Sequence, residues 1–497
     1  EIEKLNQSYP GLIRVGESNL ALFGDFPYVS LKIDEVQIFE TKAADAAVIM
    51  DVKDIYVGFN LTDLIKGDYD IQSIIIEDGI FNIVMHTDQT TNIENALGIG
   101  QTATGSSQTS LSNIQLKKIQ FRNLDIHFLD EATQMDVDNF IYSGEGGFSL
   151  KEGLLSGHID TELELSLIEA GDTSFIDQKH FEIHTDIVYN EETGVLEIAP
   201  SGILMENGDF EFSGSIDTKA DLDLDLEIKG EKPNFDMLLA FAPKEVIEAL
   251  EPYENAGEIY FTASMKGPVG SGDLPYIQAD FGAGKAFVSN TSTEKKIDNM
   301  GFKGHFTNGE NRDASTMEFS LQEMEADLEE GVFKGSILIK NFESPEVDMQ
   351  IDSKFDLDFI AAFLELEQVQ QASGSVTLQM NFHDIIDFDH PEKAIQQLNQ
   401  AYYAALKVED LTLDAAELPA RLDTLNIDLV MTGKQAQLNQ FDLTMGQSDL
   451  SMSGFLSDLP AVIHHSNIPV QAHVDISSNY LDIAQLTGYS AQDSSQT

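Results

Sequence analysis

The sequence of 497 residues contains no cysteine and no tryptophan. Without cysteine, the chain can form neither a disulfide framework nor a thiolate metal site. Long hydrophobic runs are also missing, since no stretch approaches the roughly 18 apolar residues of a membrane-spanning helix. The first residue is Glu1 rather than methionine, so we expect an upstream signal or anchor that is absent from this sequence.

Basic residues are scarce: 28 Lys+Arg stand against 86 Asp+Glu, which gives a formal charge of −58. A nucleic-acid binder needs clustered Lys and Arg to neutralise phosphates, so DNA and RNA are excluded as partners. Broad adsorption to an anionic bilayer is disfavoured for the same reason. Hydrophobic residues nevertheless make up 42% of the chain, and this content excludes a disordered chain.

Apolar and polar residues alternate with a period of two along much of the chain. In Val376–Phe382 the apolar residues alternate with Thr, Gln and Asn, and in Asp221–Ile228 they alternate with Asp and Glu. This period places the apolar side chains on one face of a strand. Antiparallel sheets with one solvated face have this pattern. The acidic residues therefore mark, in large part, the wet face of a sheet.

Helical periodicity is confined to a few stretches. It predicts helices in Phe235–Leu250, Phe355–Gln371 and Pro391–Leu406, and a single turn in Thr62–Ile65. The Gly-, Ser- and Thr-rich stretch Gly98–Asn113 predicts a long surface loop. We therefore predict a mostly β fold with a few short helices. In this fold, elongated, twisted antiparallel sheets built from repeated β units form an open apolar groove.

A repeat is visible in the glycine-containing stretches Phe212–Ile216, Phe333–Ile337 and Met452–Leu456, which begin 121 and 119 residues apart. Each precedes an alternating strand and then a helix-like opening. We predict an N-terminal β module in residues 1–150, a β repeat with a helical insert in 151–330, and a second repeat with the start of a third in 331–497. Because the third copy stops early, we expect the natural protein to continue beyond Thr497.

Motifs for catalysis or cofactor binding are weak or absent. Gly98–Ala103 matches a dinucleotide-binding spacing but runs into a polar loop rather than a helix. The acidic series from Asp221 has leucine where a calcium loop requires glycine. His180 and His184 would lie about 13 Å apart on a strand. We therefore predict no enzymatic activity, no catalytic residues, no cofactor and no metal site.

One region has a recognisable family pattern. The stretches Phe26–Val36, Val52–Gly67, Tyr69–Ile83 and Ile119–Asp130 resemble the N-terminal module of the AsmA family. The resemblance extends from Phe26 to about Tyr142 and is looser after Ser156, where it depends on the β repeat.

The resemblance implies an envelope protein of a Gram-negative bacterium. Such a protein is anchored in the inner membrane by an N-terminal helix that this sequence lacks, and its β body lies in the periplasm. Its relatives are linked to outer-membrane assembly and resemble bridge-like lipid transfer proteins. The implied partners are phospholipid or another acyl lipid, the membrane and outer-membrane assembly factors. The implied roles are phospholipid transport, outer-membrane assembly and protein targeting to the membrane, with no catalytic residues.

An alternating sheet buries its apolar face against another layer or against a ligand. We predict that the apolar residues of the alternating strands line a lipid groove. The predicted lining residues are Leu222, Leu224, Leu226, Ile228, Ile337, Ile339, Val347, Met349, Ile351, Val376, Leu378, Met380, Leu425, Ile427, Leu429 and Val470. The alternative is a structural scaffold of the envelope that binds no lipid and has a closed β-sandwich core. Periodicity alone does not separate the two.

Overall fold

The fold is seen in a computed structural model, in which strands make up 68% of the described residues. This content confirms the mostly β fold class. Within the described ranges, no helix has the length and apolar character needed to cross a bilayer. The described residues are 2–21, 28–67, 70–88, 90–98, 115–132, 135–168, 178–219, 222–241, 247, 249–250, 252–269, 274–366, 368–385, 403–416, 418–458, 461, 467 and 469–483.

The described residues form 24 strands. In chain order they are β1 Leu12–Arg14, β2 Ser18–Ala21, β3 Val29–Phe39, β4 Val48–Phe59, β5 Ile71–Met85, β6 Gln115–Asp130, β7 Met135–Lys151, β8 Leu154–Ile168, β9 Lys179–Asn190, β10 Val195–Met205, β11 Gly208–Asp217, β12 Asp223–Lys232, β13 Tyr253–Gly267, β14 Tyr276–Asn290, β15 Lys296–Thr307, β16 Glu318–Leu328, β17 Gly331–Lys340, β18 Glu346–Asp356, β19 Val369–Ile385, β20 Tyr403–Ala415, β21 Leu422–Thr432, β22 Gln435–Met445, β23 Ser448–Leu456 and β24 Ala472–Ser477. The helices with described bounds are α1 Ile2–Ser8, α2 Leu61–Lys66, α3 Asn92–Leu97, α4 Asp236–Leu239 and α5 Leu357–Phe363.

The chain divides into two compact units. The first comprises Glu1–Gly230, Asp236–Pro243 and Ser264–Pro275, and the second comprises Glu231–Phe235, Lys244–Ala263 and Tyr276–Thr497. The division into modules 1–150, 151–330 and 331–497 stays a prediction.

In the first unit, the strands from β3 to β12 lie beside one another in chain order, and β1 and β2 share the position on the outer side of β3. The pairs are antiparallel except β5–β6, which is parallel and is connected by a long crossover that includes α3. In the described chain no pairing joins β1 or β2 to β12, so this sheet is open.

In the second unit, the strands from β14 to β24 also follow chain order, and every pair is antiparallel. Among described residues β24 pairs only with β23, and all its residues are exposed. The sheet therefore has an open edge. A short connection can join two neighbouring strands only if they are antiparallel. The two-residue turn Gly433–Lys434 between β21 and β22 is an example.

The repeat of glycine-containing stretches is confirmed in the strands. Gly214, Gly335 and Gly454 lie in β11, β17 and β23, which are six strands apart. Gly214 has a φ of 145°, and a Cβ atom on it would lie 2.0 Å from the carbonyl oxygen of Asp225 in β12. At Gly454, with φ of 157°, the corresponding distance to the oxygen of His473 is 2.1 Å. At Gly214 and Gly454 glycine is needed because the neighbouring strand approaches too closely for any side chain.

Aligned β-bulges add twist to the sheets. In the first unit, Glu35, Asp78 and Asn123 have positive φ angles of 50°, 55° and 51° and are skipped in the pairing of β3, β5 and β6. Asn123 Nδ2 donates a hydrogen bond to Asp78 Oδ1 at 3.1 Å, which links two neighbouring bulges. Asn and Asp tolerate the left-handed conformation better than most residues. Each bulge increases the local right-handed twist.

Two predicted helices are wrong in extent. The helix predicted in Phe355–Gln371 ends at Phe363, and strand β19 begins at Val369. The helix predicted in Pro391–Leu406 is wrong at its C-terminal end, where Tyr403 already belongs to β20. Its earlier part lies outside the described residues. Pairing with β19 and β21 provides hydrogen bonds along β20, and this pairing overrides the local helical spacing.

The helix predicted in Phe235–Leu250 is described as α4 at its start, and much of the remainder lies outside the described residues. The turn predicted in Thr62–Ile65 is confirmed as α2. Thr62 N donates to Asn60 Oδ1 at 2.9 Å, and Gly67 ends the helix with a φ of 85°. Gly98 ends α3 in the same way, and residues 99–113 of the predicted loop lie outside the described chain.

Candidate functional site

Except for Val470, which precedes β24, the predicted lining residues of the second unit lie on one face of its sheet. Residues that stand directly opposite each other on neighbouring strands point to the same face. Ile337 stands opposite Met349, and Ile351 stands opposite Met380. These registers bring the separate alternating stretches of the sequence into common rows across the strands. We call the face formed by these rows the apolar face of the second unit.

Three rows of this face extend beyond the predicted residues across several strands. The first consists of Gly335, Ile351, Met380, Ala404, Met431, Ala436 and Leu456. The second consists of Leu378, Leu406, Leu429, Leu438, Gly454 and Val474. The third consists of Phe355, Val376, Val408, Ile427, Phe441, Met452 and Ile476. Apolar residues thus run without a polar interruption from β17 to β23 in the first row.

Sequence reasoning missed the contributions of β20 and β22 to this face. Leu406 and Val408 alternate with Lys407 and Glu409, which is a strand signal, but the helical spacing of Pro391–Leu406 predicts a helix at Leu406. In β22, the register shifts between Leu438 and Phe441. A bulge at this point interrupts the period of two, and a strict alternation pattern therefore does not extend through the strand.

The apolar face is half-buried rather than fully enclosed. Of the predicted residues in the second unit, Val347 is buried at 8% exposure, and the others are of intermediate exposure. Val470 is also half-buried but lies before β24 rather than in a strand. Among the described residues, the strands β20–β23 have no substantial packing partner except their neighbours in the sheet. No second sheet is described over this face.

Helix α5 covers one end of the apolar face. Phe359 is 1% exposed and packs with Leu328 and Phe363, while Phe333 and Phe355 of the sheet lie against this cluster. The helix is fixed at its C-terminal end because Asn290 Nδ2 and Tyr253 Oη both donate hydrogen bonds of 2.9 Å to the carbonyl oxygen of Phe363. Asn290 is fully buried. The end of the face beneath α5 is therefore closed.

The first unit contains the equivalent arrangement. Leu224, Leu226 and Ile228 of β12 are half-buried and stand opposite Ile216, Gly214 and Phe212 of β11. Helix α4 follows β12 and inserts its buried Met237 beside Gly230, where a Cβ atom would lie 2.5 Å from the Met237 sulfur.

Leu222 differs from the other predicted residues of the first unit. It lies just before β12, is 40% exposed and has a φ of 52°.

The opposite face of β12 carries the acidic residues. Asp223, Asp225 and Glu227 are exposed, and they alternate with the half-buried leucine and isoleucine residues. Asp225 Oδ1 lies 2.9 Å from Lys266 Nζ, and a hydrogen bond with Asp225 raises the pKa of Lys266. The acidic series from Asp221 therefore forms a solvated face over its described part. Asp221 itself lies outside the described residues.

A cleft of about 850 Å³ lies in the second unit, and its lining combines polar and apolar surface in about equal parts. Its lining includes two rows that lie on the polar face of the sheet. One row consists of Ser336, Gln350, Asn381 and Tyr403, and the other consists of Lys334, Asp352 and Gln379. The cleft also touches Ile351 and Met380. It extends to Lys303, whose Nζ lies 2.6 Å from Glu323 Oε2; the hydrogen bond raises the pKa of Lys303.

The histidines that invite a metal-site interpretation have separate partners. Nδ1 of His184 lies 2.7 Å from Oδ1 of Asp160, and Nε2 of His180 lies 3.7 Å from Oε1 of Glu162. Across the described part of the chain, no group of three or more histidine or carboxylate side chains could hold a metal ion.

Comparisons with known proteins identify no family: no family model matches the sequence, and no curated protein matches it. The apolar face offers a broad surface of aliphatic side chains without charged groups in its rows, and such a surface suits hydrocarbon. The polar face offers hydrogen-bond donors and acceptors.

Proposed function

We propose that the protein binds lipid acyl chains on the apolar face of the second unit and supports phospholipid transport and outer-membrane assembly, including protein targeting to the membrane. The proposal places the protein in the periplasm, anchored in the inner membrane as the AsmA resemblance implies. The observation that carries it is the register of the first row, which aligns Ile351, Met380 and Met431 with apolar residues of four further strands.

The dimensions of the apolar face favour an acyl chain as its ligand. Neighbouring strands lie about 4.8 Å apart, so a row that crosses seven strands provides about 29 Å of apolar surface. Burial of a methylene group contributes about 0.8 kcal/mol, and ten such groups would contribute on the order of 8 kcal/mol. The intermediate exposure of Met380 and Leu429 leaves apolar surface for such burial.

The test compares two substitutions on β19 that add the same charge to opposite faces. Met380→Asp places a carboxylate in the middle of the first row, and Thr377→Asp places one on the polar face between Lys354 and Lys407. Purified proteins are extracted gently and analysed for bound lipid by mass spectrometry, and uptake of a fluorescent phospholipid is then measured. We expect lipid to be lost in Met380→Asp and retained in Thr377→Asp.

The fold of each variant is checked by circular dichroism. The lipid proposal predicts that Met380→Asp stays folded and loses lipid, whereas the scaffold alternative predicts that it unfolds. If the apolar face were the interior of a closed core, Met380→Asp should unfold the protein. Wild-type protein that carries no lipid and takes up no fluorescent phospholipid would contradict lipid binding and favour a scaffold. A broad hydrolase screen, in which we expect no activity, tests the remaining possibility of an enzyme.

A further inference from the structure

The cleft of about 850 Å³ in the second unit, called the polar cleft below, presents polar side chains on the face opposite the apolar rows. Two rows of polar side chains cross strands β17 to β20 at this cleft, as described above. The side chains of Lys334, Gln350 and Asn381 make neither a hydrogen bond nor an ion pair within the described chain. The cleft therefore presents donors and acceptors that no other described side chain uses.

The charge of the cleft differs from that of the whole chain. Its lining contains three lysines, Lys285, Lys303 and Lys334, and three acids, Glu323, Glu325 and Asp352. In the complete chain, acids outnumber bases by 86 to 28. The cleft is thus electrically balanced although the complete chain is strongly negative, so its charge favours neither a cation nor an anion.

We propose that this cleft binds a neutral polyhydroxylated ligand, namely a stretch of oligosaccharide. Hydroxyl groups of a sugar both donate and accept hydrogen bonds, and the amides of Gln350, Gln379 and Asn381 offer both kinds of partner. Asp352 adds a charged acceptor, and Tyr403 adds an aromatic ring in a chain that contains no tryptophan. An acyl chain is a poor occupant because the unpaired amides would lose their water without gaining a partner.

The spacing of the rows also suits a linear oligosaccharide. Ser336, Gln350, Asn381 and Tyr403 stand on consecutive strands, so their spacing is about 4.8 Å. This interval is close to the length of one sugar unit in an extended chain. The volume of about 850 Å³ falls within the range of ligand-binding pockets. An oligosaccharide lying across the strands could therefore meet one polar group with each successive unit.

The experiment measures binding of three soluble probes, maltohexaose, cellohexaose and chitohexaose, by ligand-detected NMR and titration calorimetry. The test variant is Gln350→Ala with Asn381→Ala, and the matched control is Gln371→Ala with Gln437→Ala. The control residues are exposed and outside the cleft. Loss of two hydrogen bonds should weaken binding of the preferred probe about tenfold or more in the test variant. The control should bind like the wild type.

Three results would overturn the proposal: no binding of any of the three probes by the wild type, equal weakening in test and control variants, or displacement of a bound probe by phospholipid vesicles. Fluorescent phospholipid uptake is measured in the same variants and should stay at the wild-type level. This measurement separates the outcome from that of the lipid proposal, since either can fail while the other holds.

Discussion

Replacement of Gly214 by alanine should destabilise the first unit strongly. The Cβ of alanine would lie 2.0 Å from the carbonyl oxygen of Asp225 and 2.9 Å from the Cα of Leu226. Both atoms belong to the backbone of β12, so no side-chain rotation relieves the clash. The φ of 145° is in addition a conformation that alanine rarely adopts. Backbone strain of this kind costs about 1–3 kcal/mol, and displacement of packed neighbours costs about 1–3 kcal/mol more.

The expected loss in the free energy of unfolding is therefore about 2–6 kcal/mol. Gly202→Ala in the neighbouring strand β10 is the matched control, because no atom lies within 4 Å of its Cβ position. Alanine should be neutral there or stabilise the strand by up to about 1 kcal/mol.

Both variants are unfolded in urea and followed by circular dichroism, since the chain has no tryptophan for fluorescence. Gly454→Ala should behave like Gly214→Ala in the second unit. Equal stability of Gly214→Ala and Gly202→Ala would refute the claim that close strand approach explains the repeated glycine.

Three further variants test other parts of the fold. Asn290→Ala should cost about 1–3 kcal/mol in urea unfolding, because it removes a buried donor to the Phe363 carbonyl; an unchanged midpoint would contradict the anchoring of α5. Thr91→Ala should cost about 1 kcal/mol because Thr91 Oγ1 accepts from Glu94 N at 3.1 Å, whereas Thr91→Ser should retain most of the stability. Burial lowers the pKa of His86, but hydrogen bonds with Glu131 and Glu40 outweigh burial and raise this pKa above 6.5. The stabilisation is then fully present below pH 6.5 and is lost as the pH rises through the raised pKa. His86→Gln should abolish this part of the pH dependence of urea unfolding, and an unchanged profile would count against the pairing.

Much of the architecture was predictable from residue patterns. Alternation correctly predicted half-buried strands in Val376–Phe382 and, from Asp223 onward, in Asp221–Ile228, because burial of one face selects apolar residues at every second position. The repeated glycines predicted equivalent strands because the same close approach recurs at Gly214 and Gly454. Both signals arise from neighbouring residues and from backbone geometry.

Features that depend on pairing across strands were not predictable. Local spacing predicts a helix at Tyr403–Leu406, whereas the strand found there is stabilised by hydrogen-bond partners in β19 and β21. The polar cleft was missed for a related reason: Lys334, Asp352 and Gln379 are distant in sequence and meet only through register. Bulges such as those at Asn123 and Asp410 interrupt the period of two and conceal where a strand continues.

Site-specific photo-crosslinking tests lipid binding on the apolar face most directly. A photoreactive amino acid is placed at Leu429, in the second row of this face, and separately at Asp428, on the opposite face between Lys407 and Gln440. The protein is irradiated with radiolabelled phospholipid vesicles, and adducts are identified by mass spectrometry. We predict a phospholipid adduct at position 429 and none at 428. Equal labelling at both positions, or adducts only at 428, would contradict acyl-chain binding on the apolar face.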